Sequence, residues 1–424
     1  MHTLRLDEGL YQTTAENGVT VLSEALPGVR SVAVGVWVRT ASAHESPMTM
    51  GVSHLLEHMV FKGTARRSAR DIALELEARG GALDAFTSRD HTSYQARVLD
   101  EDLPRALDVL TDLVRNPVLR ETDLHLERRV VLEEISTVED TPDDLVFDLH
   151  ASTLWPDHPY GFPIIGTRET VGRLGADDVR ALHVRAYHPR HVIIAAAGSL
   201  HHEVLLKLLA KCGWFTFEAG PEPQVVPPVP GGTRAERRVH RNTAQTHVVL
   251  GTDTVPYRDR RRYPLLLLST VLGGGMSSRL FQRVREELGL AYAVHTFQSF
   301  YQFAGTAGVY VGTHPSTAEQ AVDAILAELG TLARQGLTGS QLVDAAQQMK
   351  GQVTLGLESP AARMYRLATV ALYGEPYRTI DEILAEIDAV REDDVGAVAA
   401  AFYAPERQTA VWLGPRPGSS PSTN

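Results

Sequence analysis

The run EAGPEPQVVPPVPGG at residues 218–232 constrains the fold of this chain more than any other feature. Proline has no backbone N–H and its ring clashes with the preceding helical turn. Five prolines and three glycines therefore cannot continue a helix or sit in a central strand. The stretch reads as a semi-extended linker over 218–235. It leaves two halves of about 200 residues, each long enough to bury a core of its own. The halves share a plan. The first opens on an apolar strand, SVAVGVWVRT, and reaches a glycine-led helix at GVSHLLEHMV; the second opens on THVVLGTDTV and reaches GGGMSSRLFQRV. Each ends in helices and a late apolar strand, HVIIAAAG in one and QTAVWLG in the other. An internal duplication of an α+β unit gives this pattern, and two unrelated α+β domains that happen to be alike are the plainer alternative. The expected layout is a first domain over 1–217, the linker, a second domain over 236–415, and a tail at 416–424 that is disordered by composition.

Within the first half, GVSHLLEHMVFKGT places His54 and His58 four residues apart, so on a helix both imidazoles project from one side. Glu57 stands next to His58 and at the edge of the same face. Imidazole pairs suit zinc, and a carboxylate off the metal can take a proton from a metal-bound water. The plainer alternative is a core helix that happens to hold two histidines. Burying polar groups without ligands among Leu55, Leu56, Met59 and Val60 would be costly. A zinc site needs a third protein ligand, and the chain has one cysteine, Cys212, so histidines and carboxylates must supply it. The best source is LHLERRVVLEEISTVED, read as one helix from Glu121 to Glu139. Glu127, Val131, Glu134 and Val138 fall on one of its faces, and Glu133 lies about 100° away. Read alone, these glutamates also fit a solvated acidic face paired with Arg128 and Arg129.

HLLEHMVFKGT with a glutamate 80 positions after His54 resembles the inverted-motif zinc peptidases of the pitrilysin and insulysin family. Within it the chain is most similar to the branch of mitochondrial processing peptidase and its short bacterial relatives. The likeness extends over ARGGALDAFTSRDHTSY, HPYGFPIIGT, YHPRHVIIAAAG and GGGMSSRLFQRVREELGLAY. It implies two similar α+β domains, each a mostly antiparallel sheet with packed helices, facing each other as a clamshell. It implies one zinc ion per chain on His54, His58 and Glu134, with Glu57 as general base and Glu127 as the second acidic residue of the third-ligand helix. It further implies a sheet-edge strand, Asp84, Ala85 and Phe86 in it, that accepts an unfolded peptide as an added strand. In the second half, Arg285 and Tyr292 match the family's substrate-holding pair, an arginine for the main chain and a tyrosine for the oxyanion. Related short chains form dimers, so a homodimer is expected, with a heterodimer of related chains as the alternative. One departure is Asp84, where the family usually has asparagine; an ionised aspartate cannot donate to a substrate carbonyl, and this shifts preference toward cationic residues or is neutral.

The expected activity is therefore a zinc metalloendopeptidase on unfolded peptides, including basic or presequence-like ones. The alternative is a zinc-bearing partner subunit with little activity alone. Other classes fit poorly. A net charge of −11 argues against a general nucleic-acid binder. No stretch approaches the roughly 20 apolar residues of a membrane span, and no basic-then-apolar leader opens the chain, so a cytoplasmic location is expected. LGGGMSSRL lacks the G-K-[ST] ending of a phosphate loop. SARD at Ser68 reads as a capping box for a helix that ends at Gly80 and Gly81, ahead of two strands joined by a turn at Arg89 and Asp90.

Overall fold

The computed structural model describes residues 1–416, so the expected tail lies outside the described residues from position 417 on. The described chain forms two compact units. The first carries a seven-stranded sheet of β1 (His2–Asp7), β2 (Leu10–Thr14), β3 (Thr20–Ala25), β4 (Ser31–Val38), β5 (Ala82–Thr87), β6 (Thr92–Leu99) and β7 (Val192–Gly198). The second carries a five-stranded sheet of β8 (Glu236–His240), β9 (Thr246–Thr254), β10 (Ala291–Phe300), β11 (Gly305–Thr313) and β12 (Thr409–Gly414).

Strand order bears out the duplication. The first sheet runs β1-β2-β3-β7-β4-β6-β5 and the second, read from its other end, β8-β12-β9-β11-β10. Omitting the β1–β2 hairpin, the two orders correspond strand for strand. The one parallel pairing of each sheet also falls at the same place, β3 with β7 and β8 with β12. All other pairings are antiparallel.

The runs VAVGVWV and VIIAAAG are apolar without alternation because both faces of the first sheet are covered. Val32, Val34, Val36, Ile194 and Ala196 face one core with Leu55, Leu56 and Met59. Ala33, Trp37, Ile193, Ala195 and Ala197 face a second core with Met364, Leu367, Ala368 and Leu372 of the helix Pro360–Leu372. That helix comes from the C-terminal half of the sequence. The second sheet is covered in the reciprocal way by Val146 of the helix Pro142–Leu154, which meets Val249, Val411 and Leu413.

The compact units thus differ from the division at the linker. Residues Ser136–Phe162 belong to the second unit and Leu355–Thr379 to the first. The physical reason is that each sheet would otherwise leave an apolar face bare, and the covering helix is drawn from across the linker in sequence. The linker itself holds no helix or strand, and β8 begins directly after it.

Locally, the capping box at Ser68 is present: its Oγ accepts from the Asp71 N–H, and Asp71 Oδ2 accepts from the Ser68 N–H at 3.0 Å. The helix Ala69–Glu77 closes before Gly80, which sits in the following turn with φ +76°.

Candidate metal centre

The helix α1 (Val52–Val60) holds HLLEH, and it is short, so both its ends are fixed from outside. At its start Gly51 adopts φ +88°, a left-handed conformation open chiefly to glycine. No side chain caps the helix locally. Instead the buried carboxylate of Glu45 accepts from the Gly51 N–H and the Ser53 N–H, both at 2.8 Å. Burial pushes the Glu45 carboxyl up to about 7, against the pull of the Ser53 and Gly51 hydrogen bonds. Beyond the C-terminal end, Thr64 donates to Asp112 Oδ2 at 2.7 Å, and Arg67 reaches the same oxygen at 2.8 Å. Leu55, Leu56 and Met59 anchor the apolar face. The polar face presents His54, Glu57 and His58.

The third-ligand helix runs from Glu121 to Glu139 as the periodicity predicts. Its buried face carries Leu124, Glu127, Val131 and Ile135, while Glu133 points to solvent. In that register Glu134 meets both histidines: Oε1 lies 3.6 Å from His54 Nε2 and Oε2 lies 3.7 Å from His58 Nε2. Ligand atoms about 2.0–2.1 Å from a tetrahedral zinc stand about 3.4 Å from one another, so these separations are a few tenths of an ångström from a closed site. They are too long for hydrogen bonds. The convergence of a carboxylate and two imidazoles, the rings edge to face at 4.7 Å, with no hydrogen bond joining the three, is the geometry of residues gathered for a cation. One ligand atom from each of the three lies within 4.8 Å of the others, the only such group among the described residues.

The state of each side chain suits that reading. Burial, with His58 adding to it, pulls His54 down to about 4 and keeps it neutral, the ligating form. His58 Nδ1 faces Glu127 Oε2 at 3.2 Å, an arrangement that puts the proton on Nδ1 and leaves Nε2 free. Glu127 is 6% exposed, and its other oxygen meets Lys62 Nζ at 2.6 Å. His54 Nδ1 is buried with no hydrogen-bond partner. Glu57 sits off the three-residue cluster with Oε2 accepting from Thr87 Oγ1 at 2.6 Å. Burial raises the Glu57 pKa, the Thr87 hydrogen bond and His58 oppose this, and Glu134 and Asp84 add to it.

β5 is the last strand of its sheet and pairs with β6 alone, so one edge is open for another strand. Leu83 and Ala85 pack toward the core that holds α1, and Thr87 follows on the same face. Asp84 and Phe86 point the other way; Asp84 is exposed and accepts from its neighbour, the Ala85 N–H, at 2.9 Å. In the second unit, Arg285 lies on a π-helical segment, Phe281–Glu287. Its guanidinium donates to the Tyr292 carbonyl at 3.1 Å and stacks 4.6 Å from both the Phe281 and Tyr292 rings. Tyr292 is 76% exposed.

Three supporting residues escape a reading of motifs. The signal that could have found Lys62 is its place one further turn after His58, and for Thr87 it is strand alternation from Ala85. Glu45, which acts across a non-helical span, leaves no spacing signal.

The model described as insulinase (peptidase family M16) matches residues 20–168, and that described as peptidase M16 inactive domain matches residues 173–349. An uncharacterized zinc protease of Streptomyces coelicolor is 40% identical over 92% of this chain and 86% of its own length. One of Bacillus subtilis is 40% identical over 94% of this chain and 97% of its own. A Pseudomonas fluorescens structure, titled a peptidase M16 inactive domain, superposes with a TM-score of 0.90 at 20% identity, covering 97% of this chain and 99% of that one. A Helicobacter pylori protease gives 0.88 at 22%, covering 96% and 99%. The latter two likenesses show the fold.

Proposed function

Because the chain belongs to the insulinase (M16) peptidase family, we propose that it is a zinc-dependent endopeptidase that hydrolyses unfolded peptides. The observation that carries the proposal is the approach of His54, His58 and Glu134 to one point, with the Glu57 carboxylate held beside it. These three residues would hold the ion, and Glu127 with Lys62 behind it orients His58. Zinc bound there would supply a Lewis acid for a water and for the scissile carbonyl oxygen.

Every other element of the reaction is a task for the chain itself. Glu57 takes a proton from the attacking water and delivers it to the leaving amine. Thr87 fixes one oxygen of that carboxylate, so the other is the one that moves the proton. The open edge of β5 pairs with an extended peptide through main-chain hydrogen bonds, which gives affinity with little demand on sequence and excludes folded substrates. Glu57, Asp84 and Glu134 make the surroundings acidic, which favours basic peptides. On the family resemblance, Arg285 is assigned to the peptide main chain and Tyr292 to the developing oxyanion.

The test is cleavage of a quenched, unstructured basic peptide by the purified chain, with zinc and with a chelator. Zinc-dependent cleavage by the parent, and its near-complete loss in Glu57→Gln at one bound zinc per chain, is the expected result. Glutamine keeps the shape and cannot accept the proton. Cleavage that appears only after mixing with a second, related chain would favour a partner-subunit role, and turnover by fully metallated Glu57→Gln would remove Glu57 from the mechanism.

A further inference from the structure

At the start of α1 the fold leaves a cavity of about 230 Å³ that the peptidase reading does not use. Its walls are the segment 41–49, the first turn of α1 and the helix Ala176–Ala186. Gln224 brings the linker to the cavity as a further wall. The linker is held close by: the Arg190 N–H donates to the Ala219 carbonyl at 3.2 Å, and His191 Nε2 meets the Pro221 carbonyl at 3.1 Å. No residue of these walls is among the three proposed zinc ligands or the proposed peptide contacts.

The charges in these walls are left unbalanced. Glu45 is 7% exposed, and its carboxylate accepts from two backbone N–H groups but meets no basic side chain among the described residues. An ionised carboxylate buried without a cation is costly, which is why burial can push its pKa up to about 7. The imidazole in the walls gives no relief. Burial pulls His44 down to about 4, against a hydrogen bond at Ala41 and with the His191 and Arg185 charges adding to the fall. Ser53 Oγ, also in the walls, is buried with no partner in hydrogen-bonding geometry. Arg185 is exposed and makes no ion pair or hydrogen bond among the described residues. Val52 and Leu182 add apolar surface.

A metal ion does not suit this set, because the one three-ligand cluster among the described residues is His54, His58 and Glu134. The volume also falls below the roughly 300–1,000 Å³ of pockets for drug-sized ligands, so the occupant is small. What fits carries an ammonium for Glu45, a carboxylate for Arg185 and a short apolar stem for Val52 and Leu182. We propose that this cavity binds a free α-amino acid with a short apolar side chain and acts as an effector site for the zinc centre. The link is α1 itself: Glu45 holds the N–H groups of Gly51 and Ser53, and His54 follows Ser53 directly. An ammonium paired with Glu45 keeps the carboxylate ionised and the start of the helix fixed. Bound amino acid and bound zinc then favour each other, since coupling between two sites is reciprocal. The effector role rests on the zinc site proposed above; binding in the cavity does not.

The experiment is calorimetric titration of the full chain, zinc-loaded and zinc-free, with L-valine, with isobutylamine, which lacks the carboxylate, and with isovalerate, which lacks the ammonium. L-Valine should bind the zinc-loaded chain with a Kd of about 1 mM or below, and each truncated probe about 10-fold more weakly. Glu45→Gln and Arg185→Gln should each weaken L-valine about 10-fold, while Arg185→Gln leaves isobutylamine unchanged. Removing zinc should weaken L-valine about 5-fold, and in a chelator competition L-valine should tighten zinc by the same factor. Arg185 is exposed and unpaired, so Arg185→Gln decides alone if Glu45→Gln unfolds by thermal melt. No heat of binding with L-valine at about 10 mM, isobutylamine as tight as L-valine, or L-valine affinity untouched by Arg185→Gln overturns the amino-acid site. L-Valine binding that leaves zinc affinity unchanged overturns the effector role. A chain that takes up no zinc overturns the peptidase reading and the effector role together, and titration of the zinc-free chain still decides the cavity.

Discussion

Replacing Gly51 by alanine tests whether the start of α1 is held by backbone fit alone. At φ +88° an L-residue is strained by about 1–2 kcal/mol. A Cβ there would also lie 2.6 Å from the Ile165 carbonyl oxygen and 2.9 Å from the Gly166 Cα. Both neighbours are backbone, and Gly166 is itself at φ +80° with its own Cβ position 2.6 Å from the Met50 carbonyl oxygen. The two segments are packed glycine against glycine, so neither can retreat, and forced overpacking adds about 1–3 kcal/mol. The total is about 2–5 kcal/mol, or about 5–15 °C in the melting temperature of a unit of this size. Gly80→Ala is the internal control, with φ +76° and nothing within 4 Å of its Cβ position. It should cost only the conformational strain, about 1–2 kcal/mol, and leave zinc affinity unchanged. Gly51→Ala should in addition weaken zinc binding about 10-fold or more, because His54 lies one turn on and must move with the helix start. Urea denaturation and a chelator competition on both variants give the two numbers. Equal destabilisation by the two alanines, with zinc affinity intact in both, would refute the argument that this contact positions the site.

Glu134→Gln should lose zinc outright, since it removes the charged ligand; Glu127→Gln should keep most of the metal and lose rate, acting through His58. Metal analysis after dialysis checks both, and loss of zinc in Glu133→Gln instead would place the ligand on the wrong face of the helix. Burial alone would raise the Asp112 pKa, but hydrogen bonds from Thr64, Arg67 and Asn116 together with the Arg66 charge outweigh it and hold it below the usual carboxylate value. A depressed pKa contributes stability above the unfolded value near 4 that is lost as pH falls through the folded one. Asp112→Asn should therefore cost about 3 kcal/mol at pH 7, and its deficit against the parent should shrink in denaturation measured below about pH 4.

The metal site was legible because its chemistry is written at short range. Two histidines four apart need only helix periodicity, and Glu121–Glu139 is helical as read, but the choice of Glu134 among the glutamates of that helix came from the family resemblance. The strands were legible from apolar runs for the same reason. What stayed hidden depends on which distant segment covers a face. Nothing in SVAVGVWV says that Ala33 and Trp37 will meet Met364 and Leu367, since the apolar stripe of Pro360–Leu372 would suit any sheet. The stacking of Tyr365 on Phe86 is invisible for that reason, and so is the exchange of helices between halves.

The duplication shows the same division from another side. In both sheets the central strands keep the same order and the same parallel pairing, because burial on two faces leaves little freedom in what a central strand can be. The first α-helix after the opening strand, α1 in the first unit and Arg262–Gly273 in the second rather than the expected GGGMSSRLFQRV, is free of that constraint on its polar face. In the first unit it presents His54, Glu57 and His58; in the second, RYPLLLLSTVLG offers no histidine or carboxylate, and Ser269 is engaged with Thr296 and Gln298. A fold can thus be copied through its apolar pattern while the chemistry is kept on one copy only. The other copy is left free to carry different polar groups at its surface, as Arg285 and Tyr292 do on the π-helical segment and the strand that follows it.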